Sequence, residues 1–411
     1  MIASESETPV KLIDWDANYA GRTRRMGSSA IRELLKLTAQ PDVISFAGGL
    51  PAPEMFPLRE FQEACDYVLR NEGHKALQYG ATEGYTPLKE YLVDRMRKYG
   101  VPADVDNILL TNGSQQALDL IGKVFVDGET LVCTERPTYL GALQAWNAYE
   151  ANYCTVPLDD QGILVDELEA VIQRSSRIRF VYVLPNFHNP AGVSMSEARR
   201  HKLVEIVLKY DLFVVEDDPY GELRFEGQDI VPIVTLAKER TIYLSTFSKT
   251  LAPGIRLGWI VAPQKVISRL VQAKQGADLH TSTFVQMVAN DICQRGFLRQ
   301  HVKRIRATYL DRRNAMLDAM AEFFPEEVKW TYPQGGLFLW VTTPPKIDTV
   351  DLFKVAVAEK VAYVPGSSFY PDDDGEGRRH MRLNFSYSNP DLIVEGIRRL
   401  GVALKKAMMD K

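Results

Sequence analysis

An α/β fold is predicted: a large domain with a mainly parallel sheet sandwiched by helices, plus a smaller α+β domain. Three observations predict it. The chain has 411 residues, more than one ordinary core needs. From about Leu58 it alternates helical stretches with short β-branched or apolar runs, the pattern of parallel strands buried on both faces. After roughly Gln275 that alternation stops, and a long charged helix is followed by sparser strands. The division this implies is 1–57 as an N-terminal arm and part of the small domain, 58–290 as the large domain, and 291–411 as the C-terminal small domain.

Taken in order, the stretch through Arg25 is polar and reads as an arm that packs on the small domain and makes it discontinuous. Ser28 or Ser29 caps a short amphipathic helix from Ser29 to Leu37, with Ile31, Leu34, Leu35 and Leu37 on or near one face. Strands are expected at Ile108–Thr111, Thr130–Cys133, Phe180–Leu184, Leu212–Glu216 and Thr241–Ser245. Helices are expected at Ser114–Phe125 and Gly141–Tyr149. The small domain is expected to hold one long helix near Phe284 to Phe323, then the segment Gly336–Val341, a helix near Val350–Lys360 and a strand at Met381–Phe385.

Composition narrows the function classes. With 45% hydrophobic and 25% charged residues the chain is neither disordered nor a disulfide scaffold. A net charge of −4 gives no electrostatic reason to expect nucleic acid. Cys65, Cys133, Cys154 and Cys293 are scattered without a CxxC pair, so reduced thiols are expected and no metal site is read from them. Met1 to Leu12 is polar and acidic with no signal pattern, and no apolar run reaches the length of a bilayer span. A cytoplasmic protein that does not act on membranes is the expectation.

The chemistry concentrates at strand ends. In Ser245-Thr-Phe-Ser-Lys249-Thr-Leu-Ala-Pro-Gly-Ile-Arg256, a lysine follows a strand, at the sheet edge where ligands of open α/β folds gather. A partly desolvated lysine near other cations can form a Schiff base with an aldehyde. Thr246 and Ser248 add hydroxyls, and Arg256 a guanidinium suited to phosphate. An isolated Ser-Lys pair is usually a solvent-facing lysine beside a turn; only its surroundings make it more. Thr111-Asn-Gly113-Ser114-Gln115-Gln116 sits at a strand-to-helix junction, where free amides and the Ser114 hydroxyl make an anion site or a plain N-cap. It has neither a P-loop ending nor a dinucleotide fingerprint.

Val214-Val-Glu-Asp217-Asp218-Pro-Tyr220 puts a carboxylate at another strand end, placed to keep a pyridine nitrogen protonated so that the ring draws electrons from a substrate α-carbon. Tyr220 can donate to the ring's phenolic oxygen. Taken alone, the segment is an acidic turn. Asn186-Phe-His188-Asn189-Pro190-Ala-Gly192 offers Asn189 to the same oxygen, though Asn-Pro turns are common. Tyr139 can stack on a flat ring, or fill a core. Each element is weak singly. Their order, each main one at a predicted strand end, fits one cofactor, pyridoxal 5'-phosphate.

With these segments in place the sequence resembles the fold-type I pyridoxal-phosphate aminotransferases of class I, which have the aspartate-aminotransferase-like fold, and is most similar to the 2-aminoadipate and kynurenine aminotransferase branch. The likeness runs from about Ser28 to Leu400 and includes SAIRELL, ISFAGGLPAPEMFP, LQYGATEGYTPLKEYL, TNGSQQALDL, NFHNPAG, EDDPYGELRF, STFSKTLAPGIRLGW, PQGGLFLWV and MRLNFSYS. It implies that Lys249 carries the Schiff base and then moves the proton, Asp217 pairs with the pyridine nitrogen, Asn189 and Tyr220 meet the ring oxygen, and Tyr139 stacks on the ring. It implies a phosphate site of Gly113, Ser114, Gln115, Thr246, Ser248 and Arg256, completed by Tyr79 from a second subunit of a homodimer with shared active sites. Arg382 takes the substrate α-carboxylate, where Asn189 also contributes. Arg32 meets a distal carboxylate or is a helix-face charge, and Gly49 lies near the substrate. Two positions depart from the pattern: His188 stands where relatives commonly carry Gln, and Thr246 where they carry Ser.

The expected reaction moves the amino group of an L-amino acid to a 2-oxo acid, with 2-oxoglutarate as acceptor, by a ping-pong cycle. Arg32 suits 2-aminoadipate or glutamate; Tyr19, Phe46, Tyr139 and Tyr363 suit aromatic or large aliphatic donors. A lyase or decarboxylase on the same scaffold is the alternative, since fold and cofactor do not fix which α-bond breaks. An effector-sensing regulator domain is a second, and it requires a DNA-binding module.

Overall fold

The computed structural model describes residues 12–27, 42–372 and 374–409. The expected Ser29–Leu37 helix and Arg32 lie outside them. Fourteen strands are described: β1 Ile44–Ser45, β2 Ile108–Thr111, β3 Leu131–Arg136, β4 Asn152–Asp159, β5 Gly162–Ile163, β6 Ile178–Val183, β7 Phe213–Asp217, β8 Thr241–Thr246, β9 Gly258–Val261, β10 Lys329–Trp330, β11 Phe338–Thr342, β12 Val361–Ala362, β13 Val364–Pro365 and β14 His380–Asn384.

Eight of them form one sheet in the order β2-β9-β8-β7-β6-β3-β4-β5. The run from β8 through β7, β6 and β3 to β4 is parallel, while β9 is antiparallel to both neighbours and β5 to β4. Alternate residues serve opposite faces. Ile108 and Leu110 enter a core under helices Leu58–Ala76, Thr86–Lys98 and Thr283–Gln294. Leu109 enters another, shared with Gly113–Phe125, Leu140–Asn147 and Gln264–Gln275. Both faces being covered is why these strands read as unbroken apolar runs rather than as alternation.

A four-stranded antiparallel sheet, β10-β11-β14-β13, carries the second lobe against helices that include Phe297–Phe323 and Pro390–Met409. The chain just before the large sheet belongs with it: β1 pairs in parallel with β12, and Phe46 is buried in the small lobe's core. The expected single helix from Phe284 to Phe323 is instead two, Thr283–Gln294 and Phe297–Phe323. Gly296 between them adopts φ +74°, a left-handed conformation that a helix interior does not contain. Charge continues through the break, which is why periodicity alone joined the two. The second helix crosses between lobes: Leu298 and Val302 belong to the large-sheet core, Ile305 and Tyr309 to the small one. Among the described residues no helix is long and apolar enough to cross a membrane.

Candidate active site

The exits of β2, β7 and β8 lie on one edge of the sheet, because β2 and β8 both run opposite to β9. Thr111 and Thr246 are both in register with Gly258, so the loops that follow start side by side. Gly258 allows this. A Cβ there lies 2.8 Å from the Gly113 carbonyl carbon and the Ser114 nitrogen and 2.9 Å from the Ser245 oxygen, too close for any side chain.

Above this row opens a cavity of about 340 Å³. It is lined by Gly49, Ser114, Gln115, Tyr139, Asn189, Asp217, Tyr220, Thr246, Ser248, Lys249, Arg256 and Arg382, together with Leu184, Pro219, Pro253 and Phe338. Twelve of the residues singled out from the sequence therefore converge, from eight separated segments and both lobes.

At one end is a cradle for an anion. Gly113 opens its helix at φ +75°, and Arg256 follows on the loop back to β9, itself left-handed at φ +50°. A Cβ on Gly113 would sit 2.6 Å from Arg256 Nη2, so the guanidinium occupies the space that glycine leaves. The Arg256 fork reaches the Asn112 carbonyl at 3.4 Å and the Pro253 carbonyl at 3.2 Å. Gln116 Oε1 accepts from the Asn112 amide at 2.8 Å, closing the turn. The Gln115 side chain donates to the Gly141 carbonyl at 2.8 Å. Ser248 joins the cradle through Thr246, whose hydroxyl accepts from the Ser248 amide at 3.1 Å and lies 2.9 Å from the Ser248 hydroxyl. A helix start, two hydroxyls and an arginine are the donors a phosphate monoester needs.

In the middle are the titratable groups. Lys249 Nζ donates to the Gly49 carbonyl at 2.7 Å. Burial lowers its pKa to about 8, with the Arg382 and Arg256 charges adding to the effect; no acid is among its influences. Asp217 ends β7 and is buried. Tyr182 donates to its Oδ2 at 2.8 Å, while Oδ1 has no partner among the described residues. Burial raises this carboxyl to about 7, against the lowering pull of Tyr182, and Asp218 adds repulsion. A buried carboxylate oxygen left bare is costly unless a donor meets it, and a protonated ring nitrogen is such a donor. Burial holds the Tyr139 phenol up at about 12.

At the far end stands Arg382 on β14, paired in register between Trp340 and Val364. It donates through Nη1 to Asn189 Oδ1 at 2.8 Å and through Nη2 to the Ala47 carbonyl at 2.8 Å. Its Nε has no partner among the described residues. Phe338 and Phe369 flank the guanidinium at 4.2 and 5.0 Å from the ring centres, and burial lowers its pKa to about 10. Asn189 also lies 3.4 Å, through Nδ2, from the Tyr220 hydroxyl.

The expectation that Tyr19, Phe46, Tyr139 and Tyr363 together shape the donor space is corrected. Phe46 and Tyr363 are core residues and line no substrate space; the Tyr363 hydroxyl donates to the Thr349 carbonyl at 2.6 Å. Tyr19 lies on an exposed segment, which leaves Tyr139 as the one of the four aromatics in the cavity. His188, where the sequence departs from the family pattern, is buried, does not line the cavity, and lies with Nε2 3.2 Å from Glu135 Oε2. Tyr79, expected from a second subunit, lies outside its own chain's cavity and is 80% exposed, with its ring edge-on to His280. Sequence reasoning missed Tyr182 and Phe338, whose apolar surroundings read as ordinary core.

The family described as "Aminotransferase class I and II" matches residues 43–400. The chain is 47% identical to "Aromatic-amino-acid aminotransferase 1" of Thermococcus litoralis, over 96% of each protein. It is 42% identical to "2-aminoadipate transaminase" of Thermus thermophilus, over 96% of this chain and 98% of that protein. Among solved structures it is similar to LysN, the alpha-aminoadipate aminotransferase of Thermus thermophilus, complexed with N-(5'-phosphopyridoxyl)-L-leucine. That similarity has a TM-score of 0.91 and 40% identity, and covers 97% of this chain and 100% of that one.

Proposed function

The chain belongs to the class I and II aminotransferases and is a pyridoxal-phosphate-dependent enzyme, and from that premise we propose that it carries an amino group from 2-aminoadipate, an aromatic or a large aliphatic L-amino acid to a 2-oxo acid, with 2-oxoglutarate as the principal acceptor. The observation that carries the residue assignments is the pairing, in one cavity, of a lysine whose amine is held near neutrality with a buried carboxylate that keeps one oxygen bare.

When bound, pyridoxal phosphate supplies an aldehyde for covalent attachment and a ring that draws electrons away from the substrate's α-carbon. Gly113, Ser114, Gln115, Thr246, Ser248 and Arg256 would hold its phosphate, Asp217 would pair with its ring nitrogen, Asn189 and Tyr220 would meet its phenolic oxygen, and Tyr139 would stack on its ring. Lys249, uncharged in an appreciable fraction of molecules at neutral pH, supplies the attaching amine. With the cofactor in place, Lys249 Nζ would take the substrate's α-proton and return it within the same site, acting as both base and acid. Arg382, held by Asn189 and the Ala47 carbonyl, would take the substrate α-carboxylate through a two-pronged contact.

Donor breadth rests on the names of the two relatives, one for aromatic amino acids and one for 2-aminoadipate. Within this reading Arg32 receives acidic side chains, Gly49 keeps the substrate space open, Tyr79 completes the phosphate site of a partner subunit in a cytoplasmic homodimer, and 58–290 forms the cofactor-binding domain against a lobe made of 1–57 and 291–411. Borohydride treatment of the loaded enzyme tests the assignment: the peptide bearing Lys249 must gain the mass of the reduced cofactor. An unmodified peptide refutes it. Initial rates with paired donor and acceptor must give parallel double-reciprocal lines; intersecting lines exclude the ping-pong cycle. A donor panel with Arg32→Ala must lose acidic donors and keep aromatic ones.

A further inference from the structure

The turn that presents Asn189 is built around a histidine the reaction does not touch. His188 is buried, as is Glu135 near the end of β3, and His188 Nε2 lies 3.2 Å from Glu135 Oε2, an electrostatic contact without hydrogen-bond geometry that leaves Nε2 with no hydrogen-bond partner among the described residues. The same carboxylate oxygen accepts from the Leu184 amide at 2.8 Å, one residue beyond β6. The other ring nitrogen, Nδ1, accepts from the Ala191 amide at 3.2 Å. That assigns the tautomer: Nδ1 bare, Nε2 carrying the proton. Around it the backbone closes twice more, His188 amide to Val193 carbonyl at 2.7 Å and Gly192 amide to His188 carbonyl at 2.6 Å.

The ring therefore ties strand β3 to the tip of a five-residue turn, across the base from which Asn189 projects. Asn189 in turn accepts from Arg382 at 2.8 Å. The path from Glu135 to the guanidinium is a contiguous one: Glu135, His188, the turn, Asn189, Arg382.

We propose that His188 is a positioning residue for the substrate α-carboxylate, acting through the Asn189 turn on the aim of Arg382. The proposal rests on the functional reading above, in which Arg382 binds that carboxylate. Loss of the ring's two polar contacts lets the turn tip shift and Asn189 relax its hold on Nη1, so carboxylate binding weakens while proton transfer at Lys249 does not. Because Thr331 also holds the turn, donating to the Ala191 carbonyl at 2.8 Å, the effect is partial.

The same geometry says which replacement works. A glutamine amide puts an acceptor and a donor about where the imidazole has them: its oxygen toward the Ala191 amide and its NH2 toward Glu135. Asparagine is too short to reach both, and methionine fills the space with no polar partner for either.

The test compares His188→Gln, His188→Asn and His188→Met as loaded holoenzymes. All three must keep the borohydride-trapped cofactor on Lys249; if the wild type fails that step, it is the functional reading that has failed and not this one. Dissociation constants are then measured by absorbance titration with 3-phenylpropanoate and glutarate, carboxylates that have no amino group to transfer. His188→Met and His188→Asn are expected to bind both about tenfold more weakly and to raise donor KM by a similar factor, with kcat within about twofold. His188→Gln should stay within about threefold of wild type on both measures. If His188→Met does not fold, His188→Asn decides. Gln behaving like Asn, or the loss falling on kcat with the dissociation constants unmoved, would overturn the proposal.

Discussion

Tyr182 donates to Oδ2 of Asp217 at 2.8 Å, while Oδ1 of this cavity-lining residue has no partner among the described residues. One bond fixes the carboxylate's rotation; in the proposed reading the unpaired oxygen takes the cofactor's ring nitrogen. Asp217→Asn removes the charge that keeps that nitrogen protonated while preserving shape, so kcat should fall by about a hundredfold or more. Tyr182→Phe removes one hydrogen bond to a charged group, worth about 1.5–3 kcal/mol, and should lower kcat by roughly tenfold. Steady-state kinetics on both variants check the ranking; equal losses would contradict it.

The same carboxyl makes cofactor-free protein sensitive to pH. Its folded pKa, about 7, lies above its unfolded value, so its contribution is fully present below the unfolded pKa and is lost as pH rises through 7. Without cofactor, Asp217→Asn should therefore gain melting temperature over wild type between about pH 4 and 8, the difference growing with pH. Melting curves across that range decide it; a constant difference fails the prediction.

For Lys249 the sign is opposite in practical effect. Burial and two arginines lower its pKa to about 8, so the nucleophilic neutral amine fills in as pH rises. The rate at which cofactor-free protein captures pyridoxal phosphate should climb from pH 6 and level off above about 9, with a midpoint near 8. Stopped-flow absorbance follows it directly.

Gly113 is held left-handed against the Arg256 guanidinium. Gly113→Ala adds backbone strain of about 1–3 kcal/mol and pushes that guanidinium aside. The cofactor should leave the variant at least tenfold faster, measured by transfer to an apo acceptor protein, while far-ultraviolet circular dichroism stays unchanged.

Arg382→Lys keeps the charge and loses the fork. Donor KM should rise by about tenfold to a hundredfold with a smaller fall in kcat, because the Asn189 and Ala47 contacts cannot both survive on one ammonium.

Much of this site was legible because its parts sit where a strand stops. Ile108–Thr111 coincides with β2, and Asp217 and Thr246 close β7 and β8. What stayed hidden shares a different cause. β9 is four residues after a Pro-Gly loop, too short for periodicity to register, yet it returns the chain so that Arg256 meets Gly113. Tyr182 lies in an apolar run in which its hydroxyl gives no local signal. Phe46 and Tyr363 are aromatic because a second core needs filling, not because a substrate does. The role of Glu135 depends on a neighbour 53 positions away in His188, a relation no spacing encodes.

The segment just after β1 works through its main chain. Ala47 and Gly49 offer carbonyl oxygens to Arg382 and Lys249, and Leu50 offers one to Ser386. Any amino acid carries that oxygen, so side-chain identity here is constrained only by room, such as the 3.2 Å between a Cβ at 49 and the Phe338 ring. Chain length is constrained absolutely. Replacements small enough for the buried space should keep both carbonyl contacts, whereas one residue inserted or deleted between 46 and 50 unseats both side chains at once, so this stretch is far less tolerant of a change in length than of a change in identity.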